Sequence, residues 1–353
     1  MKKTFKIKGR PIGEGHAPYL IAEMSGNHNN DINRAFAIIK AAREAGANAV
    51  KLQTYTPDTI TMDHDGEGFV IKEGLWKGRN LYELYKEAMT PWEWHGELFE
   101  YARKQDISIF SSPFDRSAVD LLEDLNAPAY KIASFEMTDL PLVRYAAETG
   151  KPMIISTGLA SHEEISEVID TVRATGNEQL AILHCVSAYP SDPKEANLAT
   201  IPDIAQSFGV IAGLSDHSHG IAVPVASVAL GSAVIEKHMT LARKDGGVDS
   251  AFSLEPNEFR DMTEACKIAY DAIGTADYSL KESEKKSLIY RRSLYAVADI
   301  KKGEIITDDN MRSIRPAYGL KPKYYDSLIG KKALEDIPRG TPLSWEMIKT
   351  EEE

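Results

Sequence analysis

Two histidines stand at the ends of apolar runs, where their side chains could bind a metal ion. His217 ends one run and His238 ends the next. If the two runs are neighbouring parallel strands, the two imidazoles can converge on one divalent ion, with Glu23 and Asp249 offering carboxylates nearby. Two imidazoles without a cysteine ligand leave coordination positions open for water or substrate, as a catalytic metal site requires. A hydrogen-bonded structural role is the alternative for each histidine.

Two lysines and several serines at other run ends suggest an anion site. Lys51 and Lys131 supply two cations, and hydroxyl groups recur at Ser112, Ser134, Ser156, Ser187 and Ser215. Ammonium and hydroxyl groups together suit a ligand with a phosphate and a carboxylate, although each serine alone is typical of a turn or cap. A Schiff-base lysine at Lys131 is an alternative. The histidine pair argues against it, because metal activation of a carbonyl makes an imine redundant.

Alternating strands and helices must position these residues. Runs rich in β-branched residues and bounded by glycine or proline predict eight strands, Tyr19 to Ser25, Ala49 to Tyr55, Ile107 to Phe114, Ala129 to Ser134, Pro152 to Thr157, Leu180 to Val186, Val210 to Ser215 and Ala233 to Met239. The stretches between them have the spacing of amphipathic helices. This alternation predicts an α/β fold, a (β/α)8 TIM barrel, whose reactive side chains gather at the carboxyl ends of the strands.

Side-chain alternation along the strands selects the residues that face the barrel axis. The sets that share an inward face are Lys51 with Gln53 and Tyr55, Glu23 with Ser25, and Glu236 with His238. A buried charge is costly unless it meets a partner or a ligand, so these sets indicate a binding site. His184 is expected in or near the mouth of the barrel, with its role left open.

The chain is longer than a single barrel requires. A barrel takes about 250 residues, and the 353 residues predict a barrel domain at 1–280, a linker at 281–290 and a compact β-rich module at 291–353. The long, glycine-rich connection at 56–80 carries Trp76 and is typical of a lid or binding loop.

Composition and missing motifs argue against several functions. A net charge of -12 disfavours a general nucleic-acid or anionic-membrane binder. No apolar run approaches the roughly 20 residues of a membrane span, and the N-terminus lacks the apolar stretch of a signal peptide. Cys185 and Cys266 have no paired spacing, so a cytoplasmic protein is expected. The chain has no G-x-S-x-G, G-x-G-x-x-G or P-loop motif, which disfavours serine-nucleophile, dinucleotide and ATP chemistry.

The motifs at the strand ends resemble those of the sialic acid synthase family, in order and over nearly the whole chain. They are Ala22-Glu-Met-Ser-Gly-Asn-His28, Lys51-Leu-Gln-Thr-Tyr55, Ser112-Pro-Phe-Asp115, Lys131-Ile-Ala-Ser134, Ser156-Thr-Gly158, Leu183-His-Cys185, Tyr189-Pro190, Leu214-Ser-Asp-His217 and Glu236-Lys-His238. The C-terminal module resembles the antifreeze-like SAF domain of these enzymes. The segments at 23–28 and 246–256 are most similar to those of the pseudaminic acid synthases.

The resemblance implies a condensation of phosphoenolpyruvate with an open-chain 2,4-diacetamido-2,4,6-trideoxy hexose, giving pseudaminic acid and phosphate by C–O cleavage. It implies a divalent ion, manganese in this family, bound by His217 and His238. Phosphoenolpyruvate would be held by Lys51, Ser112, Lys131, Ser134, Ser156, Ser187 and Ser215. The implied catalytic residues are Glu23, Asp249 and, as a weaker choice, Glu236. The implied sugar contacts are Gln53, Phe114, Glu136 and Tyr189, and Phe114 and Tyr189 each also fit a plain core position.

The resemblance also implies a homodimer. In it, the SAF domain would reach across to cover the partner's active site, which makes Arg315 a candidate sugar contact delivered in trans. Three alternatives stay open. The first is a synthase of N-acetylneuraminic or legionaminic acid with the same chemistry. The second is a Schiff-base aldolase at Lys131, and the third is a sugar-binding or structural protein that has lost catalysis.

Overall fold

The computed structural model describes residues 1–349, and the chain divides into two compact units, Met1–Gly274 and Thr275–Glu353. The first unit holds a closed barrel of eight parallel strands, and the second holds a small antiparallel sheet. The boundary follows Gly274, and residues 281–290, expected to be a linker, lie in the second unit, where Glu282–Tyr290 form a 3₁₀ helix. In the described part of the chain, no helix is long and apolar enough to cross a membrane.

The barrel confirms the predicted fold class. Its eight strands run in chain order around the barrel, and the last strand closes against the first. The hairpin strands are β1 Thr4–Ile7 and β2 Arg10–Gly13, and the barrel strands are β3 Tyr19–Glu23, β4 Ala49–Thr54, β5 Ser108–Pro113, β6 Tyr130–Ile132, β7 Met153–Ser156, β8 Leu180–Cys185, β9 Ile211–Asp216 and β10 Val234–His238. All eight predicted strands are present, with boundaries that differ by at most two residues.

Helices connect successive strands and cover the outside of the barrel. They are α1 Ile32–Glu44, α2 Pro57–Ile60, α3 Leu81–Ala88, α4 His95–Lys104, α5 Arg116–Asp124, α6 Leu140–Glu148, α7 His162–Ala174, α8 Thr200–Phe208, α9 Ala222–Ala229 and α10 Pro256–Ile273. Shorter 3₁₀ helices are Ser25–His28, Trp92–Trp94, Pro193–Glu195, Arg243–Asp245 and Ser250–Phe252. The outward residues of the strands, such as Val50, Leu52 and Ile235, pack against these helices in one large apolar cluster.

The amino-terminal hairpin plugs the end of the barrel that lies opposite the predicted site. β1 and β2 pair as an antiparallel hairpin. Phe5, Ile7 and Ile12 pack with Tyr19 and with the other inward residues at the starts of the strands. This hairpin was not predicted. Because the hairpin fills the amino end with apolar side chains, the polar inward residues lie towards the carboxyl ends of the strands, where barrel enzymes have their active sites.

The second unit has its own small core. Its strands β11 Ser293–Ala296 and β12 Met311–Ile314 pair antiparallel, and a short helix α11 spans Tyr325–Leu328. Further 3₁₀ helices span Pro322–Tyr324 and Trp345–Met347. Leu294, Ile300, Ile306 and Met311 are buried together with other apolar side chains of this unit. The β-rich module expected after the barrel is therefore present.

Candidate active site

Four buried charged residues form a connected row inside the barrel. Lys51 Nζ lies 3.0 Å from Glu23 Oε2 and 3.5 Å from Glu236 Oε1. Lys131 Nζ lies 3.8 Å from the same Glu236 oxygen. Each of the four is at most 3% exposed. These residues lie inside the barrel, as predicted. The strand register brings Glu23 beside Lys51 on the neighbouring strand.

Burial and mutual attraction set the protonation of this row. Burial raises the pKa of Glu23 to about 7, although the nearby Lys51 ammonium acts to lower it. The pKa of Glu236 is lowered, because Lys131 and Lys51 together outweigh the effect of its burial. Burial lowers the pKa of Lys131, whereas the pKa of Lys51 is raised because Glu23 and Glu236 outweigh its own burial. The row therefore combines two different carboxyl groups. Glu236 stays ionised because its pKa is lowered, and Glu23 can gain or lose a proton near neutral pH.

Three of the predicted serines belong to the same row. Lys51 Nζ donates to Ser112 Oγ at 3.2 Å, and Lys131 Nζ donates to Ser156 Oγ at 2.6 Å. Ser215 Oγ donates to Glu236 Oε1 at 3.2 Å. These hydroxyls lie at the carboxyl ends of β5, β7 and β9. Together with the two ammonium groups they form a buried polar cluster of the kind of groups that bind anions.

The other two predicted serines meet at Gly158. The Gly158 N–H donates to Ser134 Oγ at 3.0 Å. A Cβ placed on Gly158 would lie 2.0 Å from Ser187 Oγ and 2.8 Å from Ser134 Oγ, so only glycine fits between the two hydroxyls. Ser134, Gly158 and Ser187 therefore form a second polar cradle on the strand ends next to Lys131.

His217 and His238 do converge, as the sequence predicted. Their ring centroids are 5.2 Å apart, and both side chains are buried. His238 Nδ1 has no hydrogen-bond partner among residues 1–349 and lies 3.8 Å from Asp249 Oδ2. His217 Nδ1 lies 3.2 Å from the Val186 carbonyl oxygen and 3.8 Å from Cys185 Sγ.

One feature of the histidine pair suits a divalent ion. A buried imidazole nitrogen without a partner, as in His238, is suited to be a metal ligand. Imidazole suits zinc, copper, iron and nickel, and a carboxylate such as that of the neighbouring Asp249 suits manganese. Within residues 1–349, no group of three or more His, Cys, Asp or Glu side chains has metal-binding spacing. The two imidazoles would therefore leave most coordination positions to water or substrate, which is the pattern of a catalytic site.

A chain of hydrogen bonds links Glu23 to Asp249. Gln53 Nε2 donates to Glu23 Oε1 at 2.9 Å and to Ser25 Oγ at 3.0 Å. Ser25 Oγ in turn donates to Asp249 Oδ2. Burial raises the pKa of Asp249, although the Ser25 hydroxyl acts to lower it. The two carboxyl groups proposed for catalysis thus belong to one polar network that runs from the lysine row to the histidine pair.

Aromatic rings border the histidines. The Tyr189 ring lies 4.5 Å from that of His217, and the Phe252 ring lies 4.9 Å from that of His238, measured between centroids. Trp76, in the long connection after β4, lies 5.7 Å from Tyr189, and its Nε1 donates to the Val248 carbonyl oxygen at 2.9 Å. The long connection therefore reaches the mouth of the barrel, as a binding loop would.

Two protein-family models match this chain. The NeuB family model matches residues 38–278, and the SAF domain model matches residues 291–349. The chain belongs to the NeuB family. Pseudaminic acid synthase of Campylobacter jejuni is 46% identical over 325 residues, covering 92% of this chain and 95% of that protein. N,N'-diacetyllegionaminic acid synthase of Legionella pneumophila is 33% identical over 355 residues, covering 99% of this chain and 100% of that protein.

A solved structure agrees with the fold. The spore coat polysaccharide biosynthesis protein SpsE of Bacillus subtilis superposes with a TM-score of 0.68 at 33% identity, covering 99% of both chains. The resemblance to sialic acid synthases is confirmed, and this NeuB-family chain is an enzyme of the sialic acid synthase type.

Of the remaining predicted residues, some lie in the barrel of this NeuB-family chain and one lies in the second unit. Glu136 is mostly buried, and burial raises its pKa to about 7, even though Lys131 and Lys51 act to lower it. The Phe114 ring packs edge-on against Tyr55 at 5.0 Å. Arg315 lies in the second unit, directly after β12. His184 turns away from the interior, because its neighbours Leu183 and Cys185 face inward, and its Nε2 bonds to the Ala196 carbonyl oxygen at 2.7 Å.

Two residues beside the site were not predicted: Phe252 packs on His238, and Cys185 contacts His217. Ser25, which was expected to face inward with Glu23, bonds Asp249. The pKa of the Cys185 thiol falls to about 7, because His217 and Ser134 outweigh the effect of burial. Strand alternation in NeuB-family β8 would have shown that Cys185 points inward, two residues after Leu183. Sequence spacing carries no comparable signal for Phe252, which lies in a loop.

Proposed function

We propose that this enzyme condenses phosphoenolpyruvate with an open-chain 2,4-diacetamido-2,4,6-trideoxy hexose, giving pseudaminic acid and phosphate. The observation that carries the proposal is the meeting of two buried ammonium groups, five serines and two imidazoles at one end of the barrel. The sugar is inferred from identity, which is 46% to a pseudaminic acid synthase and 33% to a diacetyllegionaminic acid synthase.

The lysine row would bind phosphoenolpyruvate. Lys51 and Lys131 donate to Ser112 and Ser156 at 3.2 and 2.6 Å, which fixes both ammonium groups before any ligand arrives. The carboxylate and the phosphate of the ligand could then replace the weaker of these hydrogen bonds. Ser134, Ser187 and Ser215 would donate further hydrogen bonds to the ligand. Orientation established by folding lowers the barrier for a reaction between two bound molecules.

The histidine pair would bind a divalent ion, for which we propose manganese. When bound, the ion would polarise the sugar aldehyde as a Lewis acid. The supporting observation in the chain is the unpartnered Nδ1 of His238 beside Asp249.

The carboxyl groups would handle protons and water. Carbon 3 of phosphoenolpyruvate bonds to the aldehyde carbon, and the aldehyde oxygen takes a proton and becomes a hydroxyl. A water oxygen bonds to carbon 2, and the bond between carbon 2 and the phosphate oxygen then breaks, which leaves a ketone at carbon 2 and carries the hydroxyl proton away with phosphate. One water is consumed and one phosphate is released. Glu23 and Asp249 would orient the water and accept its proton, and the pKa of Glu23, raised to about 7, supports that role. Glu236 is less suited, because its proton affinity is lowered by both lysines.

We further propose a cytoplasmic homodimer in which Arg315 of one chain contacts the sugar bound by the other. The support is the matched SAF domain at residues 291–349 and the small size of the unit that carries it, since small units commonly need docking. Gln53, Phe114, Glu136 and Tyr189 would contact the sugar from the barrel.

The test is phosphate release from phosphoenolpyruvate with a panel of amino sugars. We expect release and a product of the mass of pseudaminic acid with the 2,4-diacetamido-2,4,6-trideoxy hexose, in the presence of Mn²⁺. A product only from N-acetylmannosamine or from the legionaminic acid precursor would replace the proposed acceptor and keep the chemistry. A borohydride-trapped adduct of pyruvate on Lys131, with turnover that survives chelation, would replace the chemistry itself.

A further inference from the structure

The loop after β10, residues 239–253, carries two residues to the histidine pair but contains little regular structure. It includes the 3₁₀ helices Arg243–Asp245 and Ser250–Phe252. Its two ends are joined, because Thr240 N–H donates to the Leu254 carbonyl oxygen at 3.0 Å and Leu254 N–H donates to that of His238 at 2.9 Å. Between these ends, the positions of Asp249 and Phe252 depend on contacts with another part of the barrel.

Asn27 supplies such a contact from the 3₁₀ helix Ser25–His28. Its side chain is fully buried, and Nδ2 donates to the Met239 carbonyl oxygen at 3.0 Å and to Ser253 Oγ at 2.9 Å. Ser253 Oγ then donates to the Asp249 carbonyl oxygen at 2.7 Å. The amide orientation is fixed, because the Met239 carbonyl can only accept. Asn27 is therefore connected to the backbone of Asp249 through one hydroxyl group.

Arg34 joins the same two segments. Its Nε donates to the Asn27 carbonyl oxygen at 2.8 Å, and its Nη1 lies 2.9 Å from Asp245 Oδ2. Its Nη2 donates to Thr240 Oγ1 at 3.3 Å. One mostly buried guanidinium thus holds Asn27 and two points of the loop together.

The loop passes close over Asn27. Gly247 has a φ of +123°, and a Cβ there would lie 2.5 Å from Asn29 Oδ1 and 3.4 Å from Asn27 Oδ1. A side chain at position 247 would strain the loop backbone at this φ and would displace the Asn29 side chain, which bonds the Asp245 and Gly246 carbonyl oxygens of the loop. The same helix contributes Ser25, whose hydroxyl bonds the Asp249 carboxylate. The helix therefore holds both the backbone and the carboxylate of Asp249.

We propose that Asn27 is a positioning residue, which, with Arg34, seats the loop at residues 239–253 so that Asp249 and Phe252 lie against His238. Asn27 acts through Ser253 and the loop, not on substrate. The kinetic part of this inference rests on the proposed function, because it assigns the loop to the sugar and metal side of the reaction. The structural part does not.

The first experiment measures the loop directly, by hydrogen exchange of the ligand-free protein. In Asn27→Ala, the amides of residues 241–253 should exchange at least tenfold faster, and those of the barrel strands should not. Asn177→Ala is the matched control. Asn177 is also buried, and its Nδ2 also donates two hydrogen bonds, here to the backbone carbonyl oxygens of Ala147 and Lys151 at 3.2 and 2.8 Å. Unchanged loop exchange in Asn27→Ala, or equal acceleration in Asn177→Ala, would overturn the proposal.

The second experiment uses turnover and a double variant. Asn27→Ala should lower kcat about 30-fold and raise the KM for the amino sugar, with the KM for phosphoenolpyruvate within twofold of the parent. Gly247→Ala should have the same pattern. Because both changes displace one loop, the double variant should be no worse than the poorer single variant. Additive losses, or a rise confined to the KM for phosphoenolpyruvate, would contradict a shared role in seating the loop.

The two experiments separate two kinds of failure. If the parent protein turns over none of the sugars in the panel, the proposed function fails, and the hydrogen exchange result still decides whether Asn27 holds the loop. If exchange accelerates while kcat and both KM values stay at parent levels, the loop is held but does not matter for the reaction, and the positioning role is wrong.

Discussion

The two halves of the site are built in different ways. On the lysine side, defined by Lys51, Lys131 and their partners Glu23 and Glu236, both ammonium groups stand on strands and have acidic partners within 4 Å. On the histidine side, defined by His217, His238, Asp249 and Phe252, two residues come from a loop, and one imidazole nitrogen has no hydrogen-bond partner among residues 1–349. The barrel strands themselves build the first half, whereas the second half depends on the position of the loop at residues 239–253.

The largest effect should come from breaking the lysine side. Lys51→Met leaves Glu23 and Glu236 without their shared cation in the barrel interior, and removing one partner of a buried pair costs about 3–5 kcal/mol of unfolding free energy. Urea unfolding followed by near-ultraviolet circular dichroism measures this change. The double variant with Glu23→Gln should recover part of the stability but no phosphate release. If Lys51→Met were as stable as the parent, Lys51 would not stabilise the two buried carboxyl groups, contrary to what the distances indicate.

The histidine side should respond in the opposite way. His238→Gln removes a nitrogen that has no hydrogen bond to lose among the described residues, so stability should change by under about 1 kcal/mol. Phosphate release should nevertheless fall at least about 100-fold, which corresponds to about 2.7 kcal/mol of transition-state stabilisation. Electron paramagnetic resonance of added Mn²⁺ gives an independent measure, with weaker binding expected. Release at the parent rate would remove His238 from the proposed metal site.

Glu136 should differ from both halves of the site, because its effect on the free energy of unfolding should depend on pH. Because burial raises the pKa of the folded Glu136 carboxyl from 4.5 to about 7, ionising it opposes folding, and stability is lost as the pH rises through that window. Glu136→Gln removes the penalty. At pH 8 the variant should exceed the parent by about 2 kcal/mol, and at pH 5 by less than about 1 kcal/mol. Thermal unfolding at both pH values measures the difference, and a gain that does not vary with pH would contradict the assigned cause.

The strand ends could be predicted because a closed parallel barrel imposes strict rules. Alternation along β4 and β10 fixes Lys51 and Glu236 on the inner face. The pairing of β3 with β4 brings Glu23 beside Lys51, and closure of β10 against β3 brings it beside His238. These contacts follow from register alone. The same rules applied to β8 place Cys185 inside and His184 outside, so the expectation that His184 lies in or near the mouth was an error of application.

The loop residues could not be predicted in this way. Ser25 and Asp249 are 224 positions apart, and their hydrogen bond depends on how the loop at residues 239–253 is seated. No periodicity in that segment indicates that Phe252 packs on His238. The amino-terminal hairpin was missed for a different reason: its strands have only four residues each, and its burial depends on a barrel end that it must fill.

The smallest effect should come from the one hydrogen bond that the long connection makes to the loop at residues 239–253 through Trp76. Trp76→Phe keeps an aromatic ring against Tyr189 but removes the 2.9 Å bond from Nε1 to the Val248 carbonyl oxygen. A bond of this kind is worth about 0.5–1.5 kcal/mol, so the KM for the amino sugar should rise between about twofold and tenfold. The KM for phosphoenolpyruvate should not change, because Trp76 contacts Tyr189 and Val248 and not the lysine side. Trp76→Ala, which also removes the ring, should raise the sugar KM further. If both variants raised the two KM values equally, the connection would contribute to general closure of the mouth, and the division between a strand-built lysine side and a loop-built histidine side would not extend to substrate binding.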